Sequence, residues 1–356
     1  MPPRNPNSEE VFDFVVNKGN GIKGLVDAGI ETVPDLYILP VEDRLEASEV
    51  VSVDSIPVID ASNLDDPKVT DSICEAASKW GFFQIINHGV PLQVLNNVRE
   101  AAHKFHGLPY QEKNKYWVGN SPTHTVTLTT SFAPQAETAL EWKDYLAFRF
   151  VPGDQESFAL WPPVCREEVV EYMKRAEPVI WKLLKVLLKG INVKEIDKAR
   201  EYTFLDTPVV YCNYYPRCPN PDLTAGVLPH SDIATLTLLL QDDSGGLYVR
   251  ATDDHSWIHV PPIHGALVIN IGDCLQIMSN DRYKSVEHRV VANASNNRVS
   301  VPIFANPGFN AAIGPLPEVL QTGEKPLYKQ VIFSDYLKHH CSKKHEGKKT
   351  MDFARI

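Results

Sequence analysis

Residues 235–241 read TLTLLLQ: a short run of Leu and Thr that follows the polar turn LPHSDIA (228–234) and ends on the turn residues Asp242 and Asp243. An apolar run of this length between turn signals reads as a buried strand. It is one of a set. PVVYCNYY (208–215), GLYVRA (246–251), WIHVPP (257–262), ALVINIG (266–272), HRVVAN (288–293) and RVSVPIFA (298–305) are equally short and rich in β-branched and aromatic residues. Gly, Pro, Asp and Asn separate them. Many short strands at such spacing predict a sandwich or barrel rather than a parallel α/β sheet.

Upstream the pattern is different. IPVID (56–60) and FFQIINHGV (82–90) read as strands, but DSICEAASKW (71–80), LQVLNNVREAAHKFHGL (92–108) and CREEVVEYMKRAEPVIWKLLKVLLKGI (165–191) carry helical spacing. The longest of these has Gly190 near its end and Pro178 as a possible kink, and its Leu, Val and Ile stripe is expected to pack on the outside of a sheet. Helices first and strands later predict a mainly β fold, a double-stranded β-helix (jelly-roll) core backed by N-terminal helices. The expected divisions are 1–204 (helical and mixed), 205–310 (jelly-roll core) and 311–356 (helical tail), forming one compact unit.

Composition narrows the function. Of 356 residues 43% are apolar and 22% charged, as in ordinary globular proteins. A formal net charge of -10 argues against nucleic acid and anionic membranes as partners. No window has the length of a membrane span and the N-terminus lacks a signal-peptide core, so a cytoplasmic protein is expected. The six cysteines form no CxxC pair and are read as reduced thiols. A zinc site at Cys212 and Cys218 is a minor alternative.

In an extended segment residues two apart share a face, so His230 and Asp232 aim at one point. A third ligand is supplied by His288, 56 residues after Asp232, with about four strands between them to carry the chain back alongside. Two imidazoles and one carboxylate leave neighbouring coordination positions open, the arrangement of non-haem Fe(II) oxygenases, and the HExxH of a zinc hydrolase is absent. Ten residues past His288, Arg298 and Ser300 again share a face. The guanidinium fork and a hydroxyl suit the distal carboxylate of a dicarboxylic co-substrate whose other end chelates iron. Asn213 and Tyr215, also two apart, are expected to add hydrogen bonds.

NYYPRCPNPDL, HSD, SVEHRV and RVSVPIF, with WGFFQIINHGV and IPVID upstream, resemble the plant 2-oxoglutarate/Fe(II)-dependent dioxygenase superfamily from about residue 11 to the end. The resemblance implies His230, Asp232 and His288 as iron ligands, and Arg298 and Ser300, with Asn213 and Tyr215, on 2-oxoglutarate. It also implies O2 as the second co-substrate and ascorbate as the reductant that maintains activity. FVVNKGNGIKGLVDAGI, TALEWKDYL, GPLPEV and EGKKTMDFARI resemble its coumarin-forming branch, the feruloyl-CoA 6'-hydroxylases and p-coumaroyl-CoA 2'-hydroxylases. That implies ortho-hydroxylation of a hydroxycinnamoyl-CoA ring by a monomer, with Phe304, Phe132 and Trp142 as substrate contacts. HTVTLTTSF (124–132) departs from the branch by lacking the basic residue associated with that stretch in the CoA-ester hydroxylases, which leaves scopoletin, a flavonoid or an alkaloid open as substrates. A catalytically silent binding protein on the same fold is the further alternative. The other histidines (His88, His103, His106, His124, His255, His259 and His264) are read as structural or surface residues. KHHCSKKHEGKK (338–349) is read as a solvated tail, with a basic rim for CoA phosphates as its alternative.

Overall fold

A computed structural model of the protein describes residues 7–51, 55–151, 153–198, 200–252, 256–321, 323–342 and 347–356. Twelve of its strands build two sheets. β1 (Val58–Asp60), β2 (Phe82–Ile86), β3 (Val126–Thr130), β4 (Asp144–Arg149), β5 (Val209–Tyr215), β7 (Leu236–Gln241), β10 (Leu267–Ile271) and β12 (Arg298–Ala305) form the larger, in the order β1-β2-β10-β7-β12-β5-β4-β3. β6 (Ala225–His230), β8 (Leu247–Arg250), β9 (Trp257–Val260) and β11 (His288–Val291) form the smaller, in the order β6-β11-β8-β9. This is the expected jelly roll. The large sheet also takes in β3 and β4, which sequence reasoning did not single out as strands. β3 is Thr-rich with only Val126 and Leu128 alternating, and β4, DYLAFR, has a charged residue at each end and shows little alternation.

Alternation divides the large sheet into two faces. Val210, Cys212 and Tyr214 of β5, Leu236, Leu238 and Leu240 of β7, and Val299, Val301 and Ile303 of β12 lie in the main core. The helices α1 (Pro67–Lys79), α2 (Leu92–His106) and α3 (Arg166–Gly190) contribute to that core from outside. The α3 stripe packs chiefly between α1 and α2 and touches β7, while the Tyr172 hydroxyl donates to Val301 O of β12 at 3.3 Å. Pro178 lies inside α3, which continues through it. The opposite face of the sheet meets the smaller one through Phe82, Tyr215, Val227, Leu247, Val249, Val268 and Val290. Between these two inner faces the alternate residues of each strand are brought together.

One turn requires glycine. Gly81, between α1 and β2, has φ +66°, and a Cβ there would lie 2.2 Å from Lys284 O. No helix among the described residues is long and apolar enough to cross a membrane. All six cysteines are free thiols.

Candidate metal and co-substrate site

β6 and β11 are antiparallel neighbours, and their register sets His288 opposite His230. That pairing lets residues far apart in sequence converge. Asp232 lies just past the end of β6, on the same side as His230. The ligand atoms of His230, Asp232 and His288 all lie within 4.8 Å of one another, the one such His/Cys/Asp/Glu cluster among the described residues. Asp232 Oδ1 is 3.6 Å from His230 Nε2 and 3.7 Å from His288 Nε2.

The surroundings settle which atoms face inward. His230 Nδ1 lies 2.8 Å from Leu228 O and His288 Nδ1 lies 3.3 Å from Val286 O. A carbonyl only accepts, so each Nδ1 carries the proton and each Nε2 presents a lone pair. Asp232 Oδ2 accepts from the Thr237 hydroxyl at 2.6 Å and from Asn270 Nδ2 at 2.8 Å, which leaves Oδ1 for the two imidazoles. Burial alone would raise the Asp232 carboxyl, but His288, His230 and these two hydrogen bonds together hold it below the usual carboxylate value. Two lone pairs and one anionic oxygen, all partly or fully buried, can hold a divalent cation.

Thr237 and Asn270 were not picked out from the sequence. Their signal was there, because each is a polar residue on the inner face of a largely apolar strand, in TLTLLLQ and ALVINIG. Thr237→Val or Asn270→Leu leaves Asp232 Oδ2 one hydrogen bond short and is expected to weaken Fe(II) binding ~10–100-fold, the usual cost of losing an outer partner. Anaerobic Fe(II) titration of the purified protein checks this.

β5 and β12 pair with Arg298 opposite Tyr215 and Ser300 opposite Asn213. The four residues expected at the co-substrate therefore form one patch. Arg298 is 1% exposed, its Nε donates to Gly245 O at 2.6 Å, and its guanidinium lies 4.8 Å from the Tyr215 ring centroid. Its Nη1 and Nη2 are buried with no hydrogen-bond partner among the described residues, as is Asn213 Oδ1, while Asn213 Nδ2 donates to Ser300 Oγ at 3.3 Å. A buried fork without an anion is costly, and a carboxylate offsets that cost with two charge-assisted bonds. Arg298 and the metal cluster line the same cavity. The residues present thus fit Fe(II) and a dicarboxylate together.

Phe304 and Phe132 line this cavity too. Phe304 meets Tyr211 edge-on at 4.9 Å between ring centroids, and Phe132 lies 5.1 Å from the His340 ring. Trp142 is placed elsewhere and corrects the expectation of a substrate contact. It is fully buried against Tyr37 in the N-terminal cluster, with Nε1 donating to Pro216 O at 2.9 Å. The chain bends at Trp142 just before β4, with Lys143 N donating to Glu141 O at 2.8 Å, and Lys143 rather than Trp142 is on the cavity wall.

The cavity opens where Arg149, Phe309 and Cys341 are exposed. α4 (Phe333–Cys341) covers that end with Phe333, Leu337 and His340. Lys338 to Cys341 of the basic C-terminal stretch are helical, and residues 343–346 lie outside the described residues. Lys348 Nζ is committed inward, donating to Gln276 Oε1 at 2.9 Å and to Ser285 O. Of the histidines read as structural, His88 and His106 bond to the carbonyls of Gly265 and Cys212, and His255 lies outside the described residues.

Two family models match the chain: the 2OG-Fe(II) oxygenase superfamily over residues 207–307, and the non-haem dioxygenase in morphine synthesis N-terminal region over residues 56–164. A feruloyl CoA ortho-hydroxylase of Ipomoea batatas is 57% identical over 347 residues, covering 97% of each chain. A bi-functional coumaroyl CoA and feruloyl CoA ortho-hydroxylase of the same plant is 56% identical over 347 residues, covering 98% of this chain and 97% of its own. The crystal structure of JOX2 in complex with 2OG, Fe and JA superposes with a TM-score of 0.84 at 34% identity, covering 94% of this chain and 97% of that one.

Proposed function

Because the chain belongs to the 2OG-Fe(II) oxygenase superfamily, we propose that it hydroxylates the aromatic ring of a hydroxycinnamoyl-CoA ester, feruloyl-CoA or p-coumaroyl-CoA, ortho to the acyl chain. It is a 2-oxoglutarate-dependent dioxygenase that uses Fe(II) and O2. It acts as a monomer in the cytoplasm. The observation that carries the reading is the buried Arg298 fork, whose Nη groups have no hydrogen-bond partner among the described residues, in the same cavity as the His230, Asp232 and His288 cluster. The choice of CoA ester is supported by the relatives 56% and 57% identical to this chain.

In this reading each residue has a definite task. His230 and His288 offer Nε2 lone pairs to Fe(II), and Asp232 offers Oδ1 while Thr237 and Asn270 keep its other oxygen occupied. Arg298 holds the distal carboxylate of 2-oxoglutarate in its two Nη–H groups, with Ser300 and Tyr215 as further donors and Asn213 beside them. When bound, Fe(II), 2-oxoglutarate and O2 together supply oxidative decarboxylation of the 2-oxo acid and transfer of one oxygen atom to a ring carbon. Phe82, Val227, Leu239, Leu247 and Val290 line the cavity around the cluster and keep water from the reacting atoms. Phe304 and Tyr211 flank the aromatic ring.

Incubation with Fe(II), ascorbate, 2-oxoglutarate and O2, offering the two CoA esters, their free acids and scopoletin separately, tests the proposal by mass spectrometry. One added oxygen on a CoA ester, with matching succinate, is the expected result. Oxygen gained on scopoletin or a free acid but on neither ester overturns it.

A further inference from the structure

Lys143 is 6% exposed and sits on the cavity wall at the lead-in to β4. Its Nζ is 3.0 Å from Glu141 Oε2 and 5.0 Å from the Tyr145 ring centroid. An ammonium has three N–H donors, and Glu141 is the one acceptor given to Nζ among the described residues. Burial favours the neutral amine, but Glu141 and Tyr215 outweigh it, so Lys143 stays charged. Donors are therefore left over inside a cavity otherwise walled largely by apolar groups.

Depth decides what they can reach. Lys143 lies six residues before Arg149 on the same face, on the order of 20 Å at strand rise. Arg149 is at the exposed mouth and Lys143 is deep. A CoA ester enters ring first, its nucleotide remaining outside, so the ring substituent para to the acyl chain points away from the mouth. Resting on the CoA-ester reading above, we propose that Lys143 is a specificity-determining residue whose ammonium donates a hydrogen bond to that para oxygen of the substrate ring.

Glu141 makes this placement consequential. Its Oε1 accepts from Leu228 N at 3.0 Å, and Leu228 O in turn accepts from His230 Nδ1 at 2.8 Å. Trp142 N donates to Ala225 O at 2.8 Å, closing the same segment onto β6. One fully buried carboxylate thus holds both the substrate-facing ammonium and the strand that carries a metal ligand, so the ring oxygen is registered against the cluster.

The test uses p-coumaroyl-CoA and cinnamoyl-CoA, which differ in that one oxygen, with the Fe(II)-loaded full chain. Steady-state kinetics and anaerobic calorimetry are run on wild type, K143M and the double variant E141Q/K143M, which leaves no buried carboxylate unpaired. Wild type is expected to prefer p-coumaroyl-CoA about tenfold or more in kcat/KM and Kd, the scale of a charge-assisted hydrogen bond. Both variants are expected to lose that preference while KM for 2-oxoglutarate stays unchanged. Three results overturn the assignment of Lys143: a wild type active on both esters without preference, an undiminished preference in a double variant with wild-type melting temperature, or a raised KM for 2-oxoglutarate with the preference intact. A wild type that oxidises other phenolics but neither ester removes the CoA-ester reading, and this assignment with it.

Discussion

Asp232→Ala abolishes 2-oxoglutarate-dependent turnover and stoichiometric iron binding. The loss exceeds the ~10–100-fold expected for its outer partners Thr237 and Asn270, because the anionic oxygen itself is removed. Asp232 is the only carboxylate in the cluster, so the substitution leaves two neutral imidazoles to hold a dication. His230→Ala and His288→Ala are expected to do the same, each removing one Nε2. Iron content after anaerobic loading and desalting, measured with succinate formation, checks all three. Wild-type iron retention with wild-type turnover in any one of them removes that residue from the ligand set.

The second large effect is at Arg298. Arg298→Lys keeps the charge and loses the planar fork, and the apparent KM for 2-oxoglutarate is expected to rise ~10–100-fold, the cost of about one charge-assisted hydrogen bond. Arg298→Met separates ligand binding from folding. Among the described residues the Arg298 guanidinium makes one hydrogen bond, to Gly245 O, and both Nη groups are buried without partners. Replacing an uncompensated buried charge by an apolar side chain of similar length costs the apo fold little. The apo melting temperature of Arg298→Met is therefore expected to stay within a few degrees of wild type, about the shift that 1 kcal/mol produces. The rise in melting temperature that 2-oxoglutarate gives the wild type is expected to vanish. A persistent 2-oxoglutarate shift, or an unchanged KM in Arg298→Lys, counts against this residue as the carboxylate clamp.

These residues were legible because strands repeat every two positions. His230 and Asp232, Arg298 and Ser300, and Asn213 and Tyr215 are each two apart, and the structure adds only which strand faces which: His288 opposite His230, Tyr215 opposite Arg298, and Asn213 opposite Ser300. The miss at Trp142 falls where that rule stops, at a bend just before β4 in which Lys143 N donates to Glu141 O. The aromatic residue draws attention, but the bend turns it into the N-terminal cluster and leaves Lys143 on the cavity wall. Thr237 and Asn270 were passed over because their strands read as wall, and wall strands conceal single polar residues whose partner lies on another strand. The contribution of α4 was harder still. Leu337, His340 and Cys341 reach the cavity through a tertiary return of the C-terminus, which no local pattern encodes.

The position of β2 in the large sheet bears on how the protein is made. One of its edges pairs in parallel with β1, close in sequence, but the other waits for β10, whose Leu267 lies opposite Ile85. At ribosomal speed the intervening chain takes on the order of ten seconds or more to emerge. Throughout that interval FFQII presents an apolar strand with an unsatisfied edge, the kind of template that recruits other chains. Helices α1 and α2, translated early, can shield its outer face but not its hydrogen-bonding edge. The nascent protein is thus most exposed to self-association midway through synthesis. A fragment ending before Leu267 keeps that edge exposed permanently, so such truncations are expected to aggregate.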